Sequence, residues 1–343
     1  MPVTLQNPWR GRGFAVDTPW PRSDASGVAR LIAQCPAHAP TPLLDLPALA
    51  RLAKVAQVHL KDERARMGLG SFKALGAAHA IAREAETAVQ GDNWAQALAG
   101  RCYVTASAGN HGLSVAAGAR AFGARAVIYL AETVPEAFVA RLKAKGAEVV
   151  REGATYEAAM KAAEAAAKVQ GWTLLSDSSW RGYTALPLLV MEGYLQLIAE
   201  AAAQIANPPT HIIIQAGVGG LAAAVAAHAR RLWADKPQII VVEPMAAPAL
   251  MDSILAGQLS EAKGPVSSMG RLDCKTPSMI ALHGLSRDAD LFVTITEEEA
   301  ARGVALLAAQ GLVTTPSGGA GMAALLNGLE LGAKARVLAF LTE

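Results

Sequence analysis

The sequence predicts an α/β fold made of two blocks with mostly parallel sheets and a cleft between them. Two observations carry this expectation: short apolar runs alternate with helix-length segments over most of the chain, and a long helical segment starting near residue 182 separates two such series. A third supports it, because two glycine-containing turns each join a strand to a helix. The 343 residues are 52% hydrophobic and 17% charged, enough for one large or two medium domains with a substantial core.

The elements follow in order. The first sixty residues carry prolines at 2, 8, 19, 21, 36, 40, 42 and 47 and read as irregular until KVAQVHLKDE, a short strand entering a loop. Residues 71–83 are helical in pattern. Then come RCYVTA as a strand, HGLSVAAGARAF as a helix, ARAVIYLA as a strand and PEAFVARLKAKG as a helix. Thr133 and Glu136 have capping-box spacing there, with Pro135 in the first turn. AEVVREG, TYEAAMKAAEAAAKV and WTLLSD complete the first series.

GYTALPLLVMEGYLQLIAEAAAQI reads as one long helix. The second series is HIIIQA, GGLAAAVAAHARRLW, PQIIVVE, LFVTIT, EEEAARGVALLAAQ, GGAGMAALLNGLEL and ARVLAFL. Residues 201–229 lack Asp, Glu, Lys and Arg, but Asn207-Pro208-Pro209-Thr210 and Gly217-Val218-Gly219-Gly220 cut the stretch into a strand and a helix, so a buried element is expected rather than a membrane span. The loop SEAKGPVSSMGRLD, from Ser260 to Asp273, either borders the cleft or is an ordinary surface connection.

Net charge is +2, with small clusters of alternating sign, which excludes a basic stripe for nucleic acid. Cys35, Cys102 and Cys274 are far apart and fit a reducing compartment, and the N-terminus has no apolar signal core, so a cytoplasmic location off the membrane is expected. The seven histidines form neither HxxxH nor HExxH and no Cys/His set has zinc spacing, so no metal is expected.

The chemistry centres on LGSFKALGAA. Lys73 opens a helix of small and apolar residues, and desolvation or a neighbouring positive charge lowers a lysine pKa from ~10.4 towards a reactive amine that forms a Schiff base. Read alone, it is a helix-start lysine reaching solvent. Ser107-Ala108-Gly109-Asn110-His111-Gly112 follows the strand RCYVTA, at the strand end where α/β folds place ligands. Asn110 offers an amide donor and acceptor there, or simply a helix cap. Gln215-Ala216-Gly217-Val218-Gly219-Gly220 opens the next such helix. It matches neither GxGxxG nor a Walker loop, and is either an anion cradle or a tight turn. Ser317-Gly318-Gly319-Ala320-Gly321 precedes a further helix, and Thr342 ends the last strand. One amine, two anion cradles and an asparagine suit a phosphorylated aldehyde, pyridoxal 5′-phosphate.

SFKALGA, SAGNHG, AGVGGL and PSGGAG, in that order, resemble the signatures of the fold-type II pyridoxal-phosphate enzymes, the tryptophan synthase β-like group. Within it MGLGSFKALGA, SDSSWRGYTALPLLVMEGY and LDCKTPS are most similar to the diaminopropionate ammonia-lyases. The resemblance runs from about Gly68 onward. It implies two three-layer α/β domains with the cofactor in the cleft: residues 1–65 and 186–343 as the large domain and 66–185 as the small one. It implies that Lys73 holds the cofactor covalently and moves the α-proton, that Asn110 bonds the phenolic oxygen, and that Gly217, Val218, Gly219 and Gly220 hold the phosphate. Thr342, or else Ser317, would face the ring nitrogen. Ser107, Ala108, Gly109 and His111 would receive the substrate carboxylate side, and Asp177 would meet the substrate amine as a second catalytic residue.

The implied reaction is α,β-elimination of ammonia from 2,3-diaminopropionate, a small amino acid, by a homodimer. A serine/threonine-type dehydratase, a β-replacing synthase and a non-catalytic α/β binding protein are the alternatives. Two departures stand out. Ala108 replaces an aspartate tied in the family to the D-substrate, and alanine cannot move a proton, which leaves substrate and stereochemistry open. The family pattern also runs on into a glycine turn where this sequence ends at Glu343, so either a shortened chain or a differently closed pocket is expected.

Overall fold

The computed structural model describes residues 2–343. Its strands are β1 (Val3–Gln6), β2 (Leu43–Asp45), β3 (Gln57–Asp62), β4 (Cys102–Ala106), β5 (Arg125–Leu130), β6 (Glu148–Arg151), β7 (Thr173–Leu174), β8 (His211–Gln215), β9 (Gln238–Pro244), β10 (Leu291–Ile295) and β11 (Arg336–Leu341). They form a seven-stranded sheet in the order β1-β10-β9-β8-β11-β3-β2 and a four-stranded sheet in the order β6-β5-β4-β7. Every pairing is parallel except the two edges, β1 on β10 and β2 on β3. The large sheet therefore draws on both ends of the chain, and the small sheet on residues between them.

Burial on both faces explains why the central strands are runs of β-branched residues rather than alternating patterns. Ile212, Ile213 and Ile214 of β8 and Ile239 to Val242 of β9 are all fully buried. The uncharged stretch falls into β8 and helix Gly220–Trp233, whose residues Gly220 to Ala229 are buried. The apolar run Ala185–Gln204 has the length of a membrane span, but 67% of its most apolar window is inside this core.

Three sequence expectations are corrected. The first sixty residues are not irregular: they supply β1 and β2, besides helices Ser26–Ile32 and Pro47–Leu52. Pro2 and Pro42 immediately precede β1 and β2, and Pro47 lies in the first turn of its helix. The capping box at Thr133 does not form, because Pro135 is itself the cap residue and the helix begins at Glu136. One does form at Thr296 and Glu299, ahead of helix Glu297–Ala308. The long helix breaks at Tyr194 into Ala185–Gly193 and Leu195–Gln204.

The residue before Tyr194 lies at a close helix crossing. Helix Lys73–Ala88 crosses Ala185–Gly193 at two glycines, so closely that a Cβ on Gly193 would lie 2.5 Å from the Leu75 carbonyl oxygen and 3.0 Å from Gly76 Cα. This crossing fixes the helix that presents Lys73 against the core of the large sheet.

Candidate active site

Lys73 is the first residue of its helix. Its amide donates to Ser71 Oγ at 3.1 Å, so a local hydroxyl caps the turn. The side chain extends to Asp177, in the loop after β7, and Nζ forms an ion pair with Oδ2. Lys73 and Asp177 side chains are 22% and 16% exposed, so the pair is largely shielded from water. Burial alone would lower the Lys73 pKa, but the Asp177 charge and hydrogen bond outweigh it and raise it. Burial pushes the Asp177 carboxyl up, and the Lys73 ammonium and His111 outweigh that and hold it well below the usual range. The expectation of a desolvated lysine with a lowered pKa is therefore corrected for this state: the amine is an ammonium, because its partner is an anion.

The Asp177 loop is tied to the rest of the site by serines. Ser179 Oγ and Ser278 Oγ are 2.7 Å apart, Ser179 Oγ accepts from the Ile280 amide at 2.9 Å, and the Ser278 amide donates to the Val218 carbonyl at 2.9 Å. Tyr183 Oη accepts from the Ser176 amide at 3.0 Å and donates to the Leu174 carbonyl at 2.7 Å. One bonded chain thus runs from the acidic loop to the glycine turn.

After β4, Ser107 Oγ accepts from the amides of Gly109 at 3.2 Å and Gly112 at 3.1 Å. It caps helix Asn110–Ala121, because Gly109 has no side chain to do so. A Cβ on Gly112 would lie 2.7 Å from the Ser107 carbonyl oxygen, which makes that glycine obligatory. Ala108 is exposed at the tip of the turn. His111 is 3% exposed and its Nε2 donates to the Leu175 carbonyl at 2.8 Å. It is placed as a strut between the two loops rather than as an open substrate ligand.

The glycine turn after β8 has the features of an anion cradle. Gly219 adopts φ +94°, which favours glycine, and a Cβ on Gly217 would come within 3.0 Å of both the Arg271 carbonyl oxygen and Cys274 Sγ. The amides of Gly217, Gly219 and Gly220 have no hydrogen-bond partner among the described residues, and that of Val218 meets only the Cys274 sulfur. They stand at the N-terminus of a 14-residue helix, where the backbone dipole favours an anion. Burial pushes the Cys274 thiol up to about 11, so it stays neutral beside the cradle. The segment Arg271–Cys274 belongs to the loop that the sequence left open, and it borders the site.

At the end of β11, Thr342 is 5% exposed. Its Oγ1 accepts from Gln215 Nε2 at 3.2 Å, and its carbonyl accepts from the Phe72 amide at 3.3 Å, next to Lys73. Ser317, 4% exposed, accepts from the Arg271 amide at 3.1 Å. Asn110 Nδ2 donates to Glu343 Oε2 at 2.5 Å, and the same oxygen lies 2.6 Å from Arg271 Nε. Contacts therefore link Lys73, Asp177, Asn110, the Gly217–Gly220 turn, Ser317 and Thr342 into one connected site.

Sequence reasoning missed two groups. Arg66, fully buried, donates to Glu63 at 2.8 Å from both Nε and Nη2 and to Glu200 at 2.9 and 2.7 Å. Lys61, also fully buried, donates to Glu200 Oε2 at 2.8 Å. This closed network anchors the segment that leads into Lys73, and no local pattern announces it. Tyr194 is the second: its ring lies between Gly76 and Gly220, where the sequence shows only an apolar helix.

Pyridoxal phosphate fits this donor set. Unpaired amides in a cradle that a Cβ would fill could hold its phosphate, the Lys73 amine could take its aldehyde, and buried hydroxyls suit a neutral ring nitrogen. Comparison with known proteins agrees. The pyridoxal-phosphate dependent enzyme family matches residues 35–343. A diaminopropionate ammonia-lyase of Salmonella typhimurium is 31% identical over 90% of this chain and 86% of its own length. A human serine dehydratase-like protein is 30% identical over 88% and 86%. Structures of the Escherichia coli diaminopropionate ammonia lyase, one holo and one with D-serine, superpose with TM-scores of 0.89 at 27% identity, covering 100% of this chain and 94% of theirs.

Proposed function

This chain belongs to the pyridoxal-phosphate dependent enzyme family, and we propose that within it the chain is a carbon–nitrogen lyase that eliminates ammonia from 2,3-diaminopropionate. Overall, diaminopropionate and water give pyruvate and two molecules of ammonia. The observation that carries this reading is the pairing of Asp177 with Lys73 beside the glycine cradle, supported by the similarity to the ammonia-lyases.

Bound here, the cofactor supplies an aldehyde that captures amines and an electron sink that acidifies the substrate α C–H bond. The protein's own residues do the rest. The amides of Gly217 to Gly220 hold the phosphate. Asn110 would hold the phenolic oxygen, Thr342 or Ser317 would face the ring nitrogen, and Ser107 with its neighbouring amides would take the substrate carboxylate. Lys73, pinned by the glycine crossing, takes the α-proton as general base. Asp177 accepts the positive charge of whichever amine faces it. In the empty site that amine is Lys73, and with substrate bound it is the β-ammonium of the substrate, which is the leaving group. A carboxylate there favours a cationic amine over a neutral hydroxyl.

Ala108 has no group that moves a proton, so we expect the L-enantiomer to be the substrate. The similarity to the human serine dehydratase-like protein favours a second reading, elimination of water from a β-hydroxy amino acid. Elimination rates on both enantiomers of diaminopropionate and on serine, for wild type and Asp177→Asn, separate the two. A shift of preference from diaminopropionate toward serine in the variant is expected, and an unchanged preference removes the role given to Asp177. We take residues 66–185 as a small domain closing on the remainder, and the enzyme as a cytoplasmic homodimer.

A further inference from the structure

Tyr194 is 2% exposed, and its Oη is buried with no hydrogen-bond partner among the described residues. Such a hydroxyl lowers stability unless something outside the chain bonds to it. Its position indicates what that is. The ring sits at the break between helices Ala185–Gly193 and Leu195–Gln204, edge-on to Phe72 with centroids 5.0 Å apart. A Cβ on Gly76 would meet its Cε1 at 2.6 Å and Cζ at 2.8 Å, and a Cβ on Gly220 would lie 3.7 Å from its Cε2. Glycine at 76 is thus what lets the phenol end lie against the Lys73 helix, and its ring edge comes within van der Waals reach of Gly220, the first residue of the helix behind the cradle.

The helix that begins at Gly220 is the one behind the cradle, and the amides of Gly217, Gly219 and Gly220 at its start are unpaired among the described residues. Burial first, and then the Asp177 charge, keep the phenol un-ionised, so it is available as a donor. Donors without acceptors, gathered at a helix N-terminus, call for an oxyanion.

We infer that Tyr194 Oη donates a hydrogen bond to the phosphate that the Gly217–Gly220 turn holds. The inference rests on the cofactor reading above and adds a side-chain ligand to a cradle otherwise made of backbone. It has a consequence that a purely structural tyrosine lacks: removing the hydroxyl has opposite effects on the empty and the loaded protein. In the empty protein the loss relieves an unsatisfied group. In the loaded protein it removes a hydrogen bond to a charged group.

The test is Tyr194→Phe, which keeps the ring and its packing. Expected are a melting temperature for the cofactor-free variant equal to or above wild type, and a dissociation constant for pyridoxal phosphate raised by about tenfold or more. The thermal shift given by inorganic phosphate to the cofactor-free protein shrinks in parallel, and the phosphorus resonance of bound cofactor moves. Equal affinities for cofactor and phosphate in variant and wild type overturn the inference. So does a cofactor-free variant that melts lower while binding both as well as wild type, which marks the hydroxyl as bonded to internal water. A wild type that binds phosphate but not pyridoxal phosphate sinks the cofactor reading alone, and the phosphate arm still decides Tyr194.

Discussion

Gly193 lies against Gly76 so closely that a single added methyl on Gly193 would come within 3.0 Å of Gly76 Cα and 2.5 Å of the Leu75 carbonyl oxygen. Two helices meet here backbone to backbone, and the one that carries Gly76 also carries Lys73, one turn earlier. The position of the reactive amine is therefore set by a packing contact behind it.

Gly193→Ala tests that contact. Helix propensity favours alanine by roughly 0.5–1 kcal/mol. Overpacking against a backbone oxygen that cannot rotate away costs about 1–3 kcal/mol, so the clash wins. The variant should unfold at lower denaturant concentration and bind cofactor more weakly. A variant more stable than wild type contradicts the crossing described here.

Lys73→Ala should abolish both elimination and the visible absorbance of lysine-bound cofactor, while the glycine cradle still takes up phosphate. Borohydride reduction of the wild-type holoenzyme followed by peptide mass analysis should place the cofactor on Lys73. A tag on another lysine, or an unchanged visible spectrum in the variant, removes Lys73 from its role.

Features written locally were legible in the sequence. Lys73 in its small-residue helix, the turns at Ser107 and Gly217, and the βα rhythm each depend on neighbours within a few residues. The edge strands β1 and β2 were not, since each is only three or four residues long, and β1 exists because a strand near residue 292 pairs with it. The partners of Lys73 and Arg66 were hidden for the same reason: Asp177 and Glu200 lie more than a hundred residues away. Asp177 was reached through family resemblance, and its contact with Lys73 rather than with open solvent required the fold. Tyr194 looked like one more apolar helix position, and the single local sign of a break, Gly193 just before it, is also tolerated inside helices.

The Lys73–Asp177 pair makes the stability of the cofactor-free protein depend on pH at both ends. The folded-state pKa of Asp177 is depressed, so between that value and ~3.9 the unfolded chain binds more protons and stability falls with falling pH. The folded-state pKa of Lys73 is raised, so its contribution is full below ~10.4 and is lost as pH rises through the folded value. Asp177→Asn should flatten both limbs. Urea midpoints measured on cofactor-free wild type and variant from acid to alkaline pH check this, and parallel curves contradict it.

Glu200 offers the sharpest test of how the Lys73 segment is anchored. Its carboxylate is 7% exposed and accepts from Arg66, Lys61 and the Thr41 amide, while Gln196 donates to it at 3.1 Å. Burial would raise its pKa, but Arg66 and Lys61 outweigh burial and hold it down to about 2. Glu200→Gln keeps the shape and removes the charge, leaving Arg66 with Glu63 alone and Lys61 without an anion. Breaking one side of a buried ionic network costs about 3–5 kcal/mol, far more than an exposed pair. The variant should lose that much stability at neutral pH, and its difference from wild type should narrow as pH falls from ~4.3 through about 2, where wild-type Glu200 itself takes a proton. Because Arg66 anchors the approach to Lys73, the folded variant should also hold less cofactor. A variant of wild-type stability that loads normally means that the loop before Lys73 is held by the glycine crossing alone.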